Sequence, residues 1–255
     1  MTARTPRLAG SFSASARKTA IPAVSNASRP CASSYIEAAR NEFETEIATT
    51  SMMLDEAYRL RYQVYCVERG YETSANGFET DSFDRSSRHV LLRRRSTREV
   101  VGTVRVVLPG RGPSASQTTM PMEQICNPAV LRGLPLHRTG EISRFAISKD
   151  RRHGVGHAGV FMRLGLMQGI LRVSQEAGLT HWCAVLERSL IRLLQSTAIH
   201  FSPIGPAVEY HGIRQPAVAC IAATLERIRR EAAPVFAYIT ADGALWPAPA
   251  DLMAA

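Results

Sequence analysis

The chain has 255 residues, 45% of them hydrophobic and 21% charged, the balance of a soluble globular protein with a core large enough to need no disulfide staples. Its longest run free of Asp, Glu, Lys and Arg, Leu193 to Val208, is broken by His200, Pro203 and Pro206, so no stable membrane insertion as a helix is expected. The 31 basic residues outnumber 22 acidic ones, but Arg4, Arg7, Arg17, Lys18 and Arg29 fall in an acid-free stretch and leave only 26 against 22 elsewhere, too small an excess for a nucleic-acid-binding face.

Residues 1–34 are rich in Ala, Ser, Thr, Arg and Pro. They read as a disordered basic tail, although a transit peptide has a similar composition; nothing in them resembles the apolar run of a secretory signal. Cys31, Cys66, Cys126, Cys183 and Cys220 are odd in number, widely spaced and lack a Cys-x-x-Cys pair, which points to a reducing, cytoplasmic compartment. The folded domain is expected over 35–255. Met53, Ala57, Leu60, Val64 and Val67 recur at helical spacing and predict a helix over 52–69, stopped by Gly70, with Tyr58, Arg61 and Tyr65 on a second face. Segments 88–94 and 99–108 read as a strand pair joined by Ser96-Thr97-Arg98, and 110–138 as a long Gly-, Pro- and Ser-rich excursion. A strand over Glu141–Ser148, a helix over 157–177 closed by Gly178, a buried strand over Thr180–Leu186, a helix over 188–196 and a strand over 199–204 follow. A helix over 216–231 and a strand over 235–240 complete the chain. Gly165 and Gly169 are placed to bring their helix close to a sheet, and Trp182 and Cys183 read as core. This order predicts an α/β fold with a mixed, mostly antiparallel sheet flanked by helices.

Three segments carry chemistry. The turn Arg151-Arg152-His153-Gly154-Val155-Gly156 opens a helix, so its backbone N–H groups sit at the positive end of the dipole and suit a phosphate, with Arg151 adding a charged contact; a loop needing Gly for its geometry alone is the alternative. No Gly-Lys-Ser/Thr follows, which excludes a P-loop. Glu79-x-Asp81-x-x-Asp84 lacks the alternating ligands and glycine of a calcium loop. It reads either as a solvated acidic turn or as carboxylates that position a cationic or zwitterionic substrate together with nearby arginines. In Glu141-Ile142-Ser143-Arg144-Phe145, strand alternation places Glu141, Ser143 and Phe145 on one face and Arg144 on the other. Glu141 suits a proton acceptor for an attacking amine, or a structural salt bridge. His153 and His157 have the spacing of a metal pair but no third ligand nearby, and Arg93-Arg94-Arg95 receives no role. His211 and Arg214 either line a pocket or fix the loop bracketed by Pro206 and Pro216.

Arg-Tyr-Gln-Val-Tyr-Cys-Val-Glu (61–68), the acids 79, 81 and 84, Gly-Thr-Val-Arg-Val-Val-Leu-Pro (102–109) and Glu-Ile-Ser-Arg-Phe (141–145) together resemble the autoinducer synthase and N-acyl amino acid synthase branch of the GCN5-related N-acetyltransferase (GNAT) superfamily. Segments 184–194 and 204–216 resemble, more specifically, the bacterial acyltransferases associated with PEP-CTERM/exosortase systems. The likeness spans about 50–245 and implies a GNAT-like acyltransferase fold. It also implies transfer of a fatty acyl group from an acyl carrier protein thioester, or from acyl-CoA, to a small-molecule amine such as an amino acid. By this resemblance Glu141 is the catalytic proton acceptor, and Arg61, Tyr65, Asp81, Asp84, Arg105, Ser143, Arg144 and Phe145 surround the substrates. Arg151, Gly154 and Gly156 take the pantetheine phosphate, and backbone N–H groups near Phe145 to Ile147 polarise the thioester carbonyl. No metal or redox cofactor and no nucleic acid is implied. A catalytically inactive lipid-sensing or binding module on the same fold is the alternative.

Overall fold

The computed structural model describes residues 32–110, 120–151, 158–210 and 212–246. Helix α1 (Ala32–Glu42) runs directly into the edge strand β1 (Phe43–Ile47). The Thr50 hydroxyl accepts the Met53 N–H at 3.2 Å and so caps α2 (Ser51–Tyr62). That helix buries Ala57 and Leu60 against Leu91 and Val100 of the sheet. It does not continue regularly to Gly70: Gln63–Glu68 wind as a π-helical turn, whose wider pitch carries Val67 out of the apolar stripe to 58% exposure. Gly70, at φ +63, ends the segment as expected.

Strands β2 (Ser87–Arg94) and β3 (Val100–Val107) form the expected hairpin. Of the excursion, 111–119 lies outside the described residues, and 120–138 holds tight turns and the short α3 (Pro128–Leu131), capped by Asn127. Next come β4 (Thr139–Ile147), α4 (Ala158–Ala177), β5 (His181–Glu187) and α5 (Arg188–Gln195). The short β6 (Ser202–Pro203) and β7 (Val208–Glu209), β8 (Ile213–Cys220), α6 (Ile221–Glu231) and α7 (Ala233–Ile239) follow. The sheet runs β1-β2-β3-β4-β5-β8-β6, with β7 also on β8. Every pairing is antiparallel except β4 with β5. The fold is thus a mixed, mostly antiparallel sheet flanked by helices.

Two elements near the C-terminus differ from expectation. The helix predicted from 216 begins at Ile221, because 213–220 is strand β8. Its Ala217 and Ala219 are good helix formers, yet they alternate into the core at 0% and 5% exposure, and tertiary pairing with β5 overrides local preference. The strand predicted at 235–240 is α7: Pro234 sits in its first turn, where a missing N–H costs nothing. Tyr238 and Ile239 are buried in the core that α4 shares with this end of the chain.

Helix α4 crosses one face of the sheet at close range. A Cβ on Gly165 would lie 2.5 Å from Leu92 Cδ1 and one on Gly169 2.1 Å from Val90 Cγ1, so only glycine permits this approach. Thr45 donates its hydroxyl to the Gly165 carbonyl at 2.9 Å. Trp182 and Cys183 are core, and the Trp182 indole donates to Ser174 at 2.8 Å. The arginine run has a structural answer: Arg93 pairs with Glu46 and Glu56, Arg94 with Glu42 and Arg95 with Glu44. Among the described residues no helix is long and apolar enough to cross a membrane.

Candidate active site

Strands β4 and β5 are parallel neighbours over only three register pairs, Thr139–His181, Gly140–Trp182 and Glu141–Cys183, and then part. The divergence coincides with an irregularity in β4. Arg105 of β3 faces Ser143 while Thr103 faces Ala146, so β4 carries one extra residue. The resulting bulge puts Arg144 at φ +51 and bends the strand. A cleft of about 280 Å³ opens in the gap, lined by Phe145 and Ile147 of β4, Ala184 and Leu186 of β5, Met167 of α4 and Leu190 of α5. A smaller cavity of about 90 Å³ adjoins it, sharing Tyr65, Ser143, Arg144, Val185 and Arg214, and it contains Glu141.

The bulge also corrects the alternation read from sequence. Arg144 lies with Ser143 rather than opposite it, since Arg105 bonds Ser143 and Asp81 while Arg144 reaches the same Asp81. Phe145 instead turns with Ile142 and Ile147 toward the core under α4. It therefore lines the large cleft without sharing a face with Glu141 and Ser143.

Arg61, Arg105 and Arg144 are brought together with Glu79, Asp81 and Asp84. Arg61 Nε donates to Glu79 at 2.5 Å and its Nη1 to Asp84 at 2.6 Å. Arg105 Nη1 donates to Asp81 at 2.5 Å and Asp84 at 2.7 Å. Arg144 Nε donates to Glu79 at 2.9 Å, and its Nη2 lies 3.1 Å from Asp81. The three cations and three anions balance, as a cluster this deeply buried requires. Burial works to raise the Asp84 pKa, but the Arg61 hydrogen bonds and the charges of Arg61 and Arg105 prevail and bring it to about 2. Burial likewise opposes the charge on Arg144, and Glu79 and Asp81 overcome it. Glu79 belongs to the acidic triplet seen in the sequence, yet its part as the link between Arg61 and Arg144 was not. His89 was missed altogether. It is 1% exposed, its Nε2 is 3.6 Å from Asp84 Oδ1, and it stands edge-on to Tyr58 at 5.3 Å. Burial and the nearby Arg61 push its pKa down to about 4, so it is neutral at pH 7. Its only trace in the sequence is a polar residue heading the apolar run Val90-Leu91-Leu92.

Glu141 is 2% exposed, and its Oε2 accepts the Met122 N–H at 2.8 Å. No cation among the described residues forms a salt bridge with it, which removes the structural-pair reading there. Burial pushes its pKa up to about 8, against the opposing pull of the Met122 N–H and the charge of Arg105. A carboxyl that exchanges its proton near neutrality inside a cavity has the character of a general base. Tyr65, on the π-helical turn, donates its hydroxyl to the Phe145 carbonyl at 3.3 Å and so contacts the bulge. At the mouth of the cleft Glu187 joins Arg69 at 2.9 Å to Arg214 at 3.1 Å. Arg214 thereby lines both cavities, while His211 lies outside the described residues. Arg151 is engaged by the Val100 carbonyl at 2.6 Å and by Glu99 at 3.2 Å. Gly154 and Gly156 of the expected phosphate turn, with His153 and His157, lie outside the described residues.

Residues 60–161 match the family described as an acetyltransferase (GNAT) domain. No curated protein matches the chain. Among solved structures, the acyl-homoserine lactone synthase LasI is similar at 20% identity and a TM-score of 0.54, covering 69% of this chain and 88% of that one. FeeM, an N-acyl amino acid synthase from uncultured soil microbes, is similar at 15% identity and a TM-score of 0.54, covering 72% and 94%. BjaI, a CoA-dependent acyl-homoserine lactone synthase, is similar at 22% identity and a TM-score of 0.55, covering 74% and 88%. The chain therefore has the GNAT-like α/β fold, and its residues 60–161 are similar to the GNAT acetyltransferase domain.

Proposed function

We propose that the protein is an N-acyltransferase that moves a fatty acyl group from an acyl carrier protein thioester, or from acyl-CoA, to an amine such as an amino acid. The observation that carries this reading is Glu141. Its proton is held with a pKa of about 8, in a cavity that adjoins the cleft where β4 and β5 part. The thioester arm occupies the large cleft, with its carbonyl at the bulge, where an extra residue interrupts the regular ladder; backbone N–H groups near Phe145 to Ile147 are the groups this reading assigns to the developing oxyanion. The acceptor occupies the smaller cavity. Arg144 lines that cavity, is 17% exposed and suits a carboxylate, and its partner Asp81, 24% exposed, is the most accessible acid of the ionic cluster. Glu141 in its ionised form takes a proton from the ammonium, and the freed amine nitrogen bonds to the thioester carbon. Collapse of the tetrahedral adduct breaks the C–S bond while the second proton lost from nitrogen passes to sulfur, leaving the amide and the free thiol. No metal or redox group enters this scheme.

The activities of the structural neighbours FeeM and BjaI, N-acyl amino acid synthesis and CoA-dependent acyl-homoserine lactone synthesis, support the class of reaction. Arg69 and Arg214 line the cleft, and Arg188 and Arg192 are exposed on α5, whose Leu190 and Leu193 also line it; this charge suits an acidic carrier protein, because complementary charge speeds docking. The tie to exosortase systems rests on segments 184–194 and 204–216 alone. The test mixes purified protein with carrier and CoA thioesters and a panel of amines, and reads free thiol together with N-acyl product by mass. Thiol release matched by N-acyl product supports the reading. Absence of release with every donor overturns it and leaves the lipid-binding alternative.

A further inference from the structure

The large cleft changes character along its length. Its mouth is polar, at Tyr65, Arg69, Glu187 and Arg214, and its far end between α4 and α5 is apolar. Behind that end lies a third cavity of only about 10 Å³, bounded by Val160, Leu164, Thr197 and Ile199. The two spaces share Arg163, Met167, Leu193 and Leu194, so one layer of side chains separates them. The polar groups here have partners: Thr197 donates its hydroxyl to the Leu194 carbonyl at 2.8 Å, and Arg163 donates to the Gly159 carbonyl at 2.5 Å. What remains is a small apolar space, dry and too small for a methylene until a neighbouring side chain is trimmed.

We propose that Leu193, on α5, is the wall that limits the length of acyl chain this cleft accepts. The inference rests on the acyl-transfer reading of the cleft. Met167 and Leu194 are 3% and 6% exposed and belong to the main core, so shortening them opens a cavity in the core itself. Leu193 is half-buried, outside that set, and faces both spaces. Trimming it joins the small cavity to the end of the cleft, and enlarging it moves the floor toward the mouth. Each methylene that gains a buried site increases affinity by about fourfold, since burying one CH₂ is worth about 0.8 kcal/mol and 1.4 kcal/mol is tenfold.

The experiment measures displacement of a fluorescent fatty acid from the full-length protein by saturated fatty acids from octanoate to stearate. It compares wild type, Leu193→Ala and Leu193→Phe, alongside thiol release from the matching acyl-CoAs. Leu193→Ala should move the tightest-binding length upward, with about a fourfold gain for each methylene beyond the wild-type optimum. Leu193→Phe should move it downward. An optimum unchanged in both folded variants, or no fatty acid binding by the wild type, overturns the proposal. Shifted binding without thiol release, from these acyl-CoAs or from the matching acyl carrier protein thioesters, with amines present, upholds the wall and refutes acyl transfer.

Discussion

Replacing Glu141 by Gln tests the buried carboxyl through both stability and rate. An ordinary glutamate has a pKa of 4.5, and burial pushes that of Glu141 up to about 8. In the unfolded chain the group is ionised above about pH 4.5, while in the folded protein it keeps its proton until about pH 8. Between those limits the folded state binds the extra proton, so stability falls as pH rises, by about 1.4 kcal/mol per pH unit and roughly 5 kcal/mol across the window. Gln keeps the shape, stays neutral, and its amide oxygen can still accept the Met122 N–H. Urea unfolding at pH 6 and pH 9 should show the wild type losing about 3 kcal/mol more than Glu141→Gln over that interval. In turnover, kcat/KM of the wild type should rise about tenfold per pH unit toward pH 8, and the variant should lose roughly 10²–10⁴-fold along with that dependence. Parallel stability profiles would refute the perturbed carboxyl, and an unaltered pH–rate profile would remove Glu141 from proton transfer.

The ionic cluster and the helix–sheet contact give further expectations. Glu79→Gln strips the anion shared by Arg61 and Arg144 and should cost about 3–5 kcal/mol in urea unfolding, because a buried guanidinium is left uncompensated; a loss below about 1 kcal/mol would mean the cluster balances without it. Gly169→Ala drives a methyl into Val90 and should destabilise by about 1–3 kcal/mol, lowering Tm by several degrees. Gly133→Ala meets nothing within 4 Å and serves as the unaffected control. Equal Tm values for the two would contradict the close crossing of α4.

Much of this architecture was legible because the relevant signals are local. Gly165 and Gly169 announced a helix lying tight on a sheet, and three acids within six residues announced a charged cluster. The bulge at Arg144 was not legible, since an inserted residue leaves no mark on a short apolar–polar alternation; it shows only in the pairing of β4 with β3. Strand β8 was hidden by Pro216, Ala217 and Ala219, residues that fit several local conformations and are committed only by their neighbour β5. His89 lacked any motif partner within its own segment, and its meaning comes from Asp84 and Tyr58 folded onto it.

Strand β1 forms one margin of the sheet, and the arginines of β2 fall beside it. Its outward residues Glu44 and Glu46 are held by Arg93, Arg95 and Arg98. A second copy trying to extend the sheet through this margin would have to bring like charges into register and strip arginines from their carboxylates. The run of three arginines is therefore a guard against strand-to-strand aggregation. Within that run Arg93 and Arg94 are only 8% and 15% exposed, so most of their charge is spent on Glu46, Glu56 and Glu42 inside the fold.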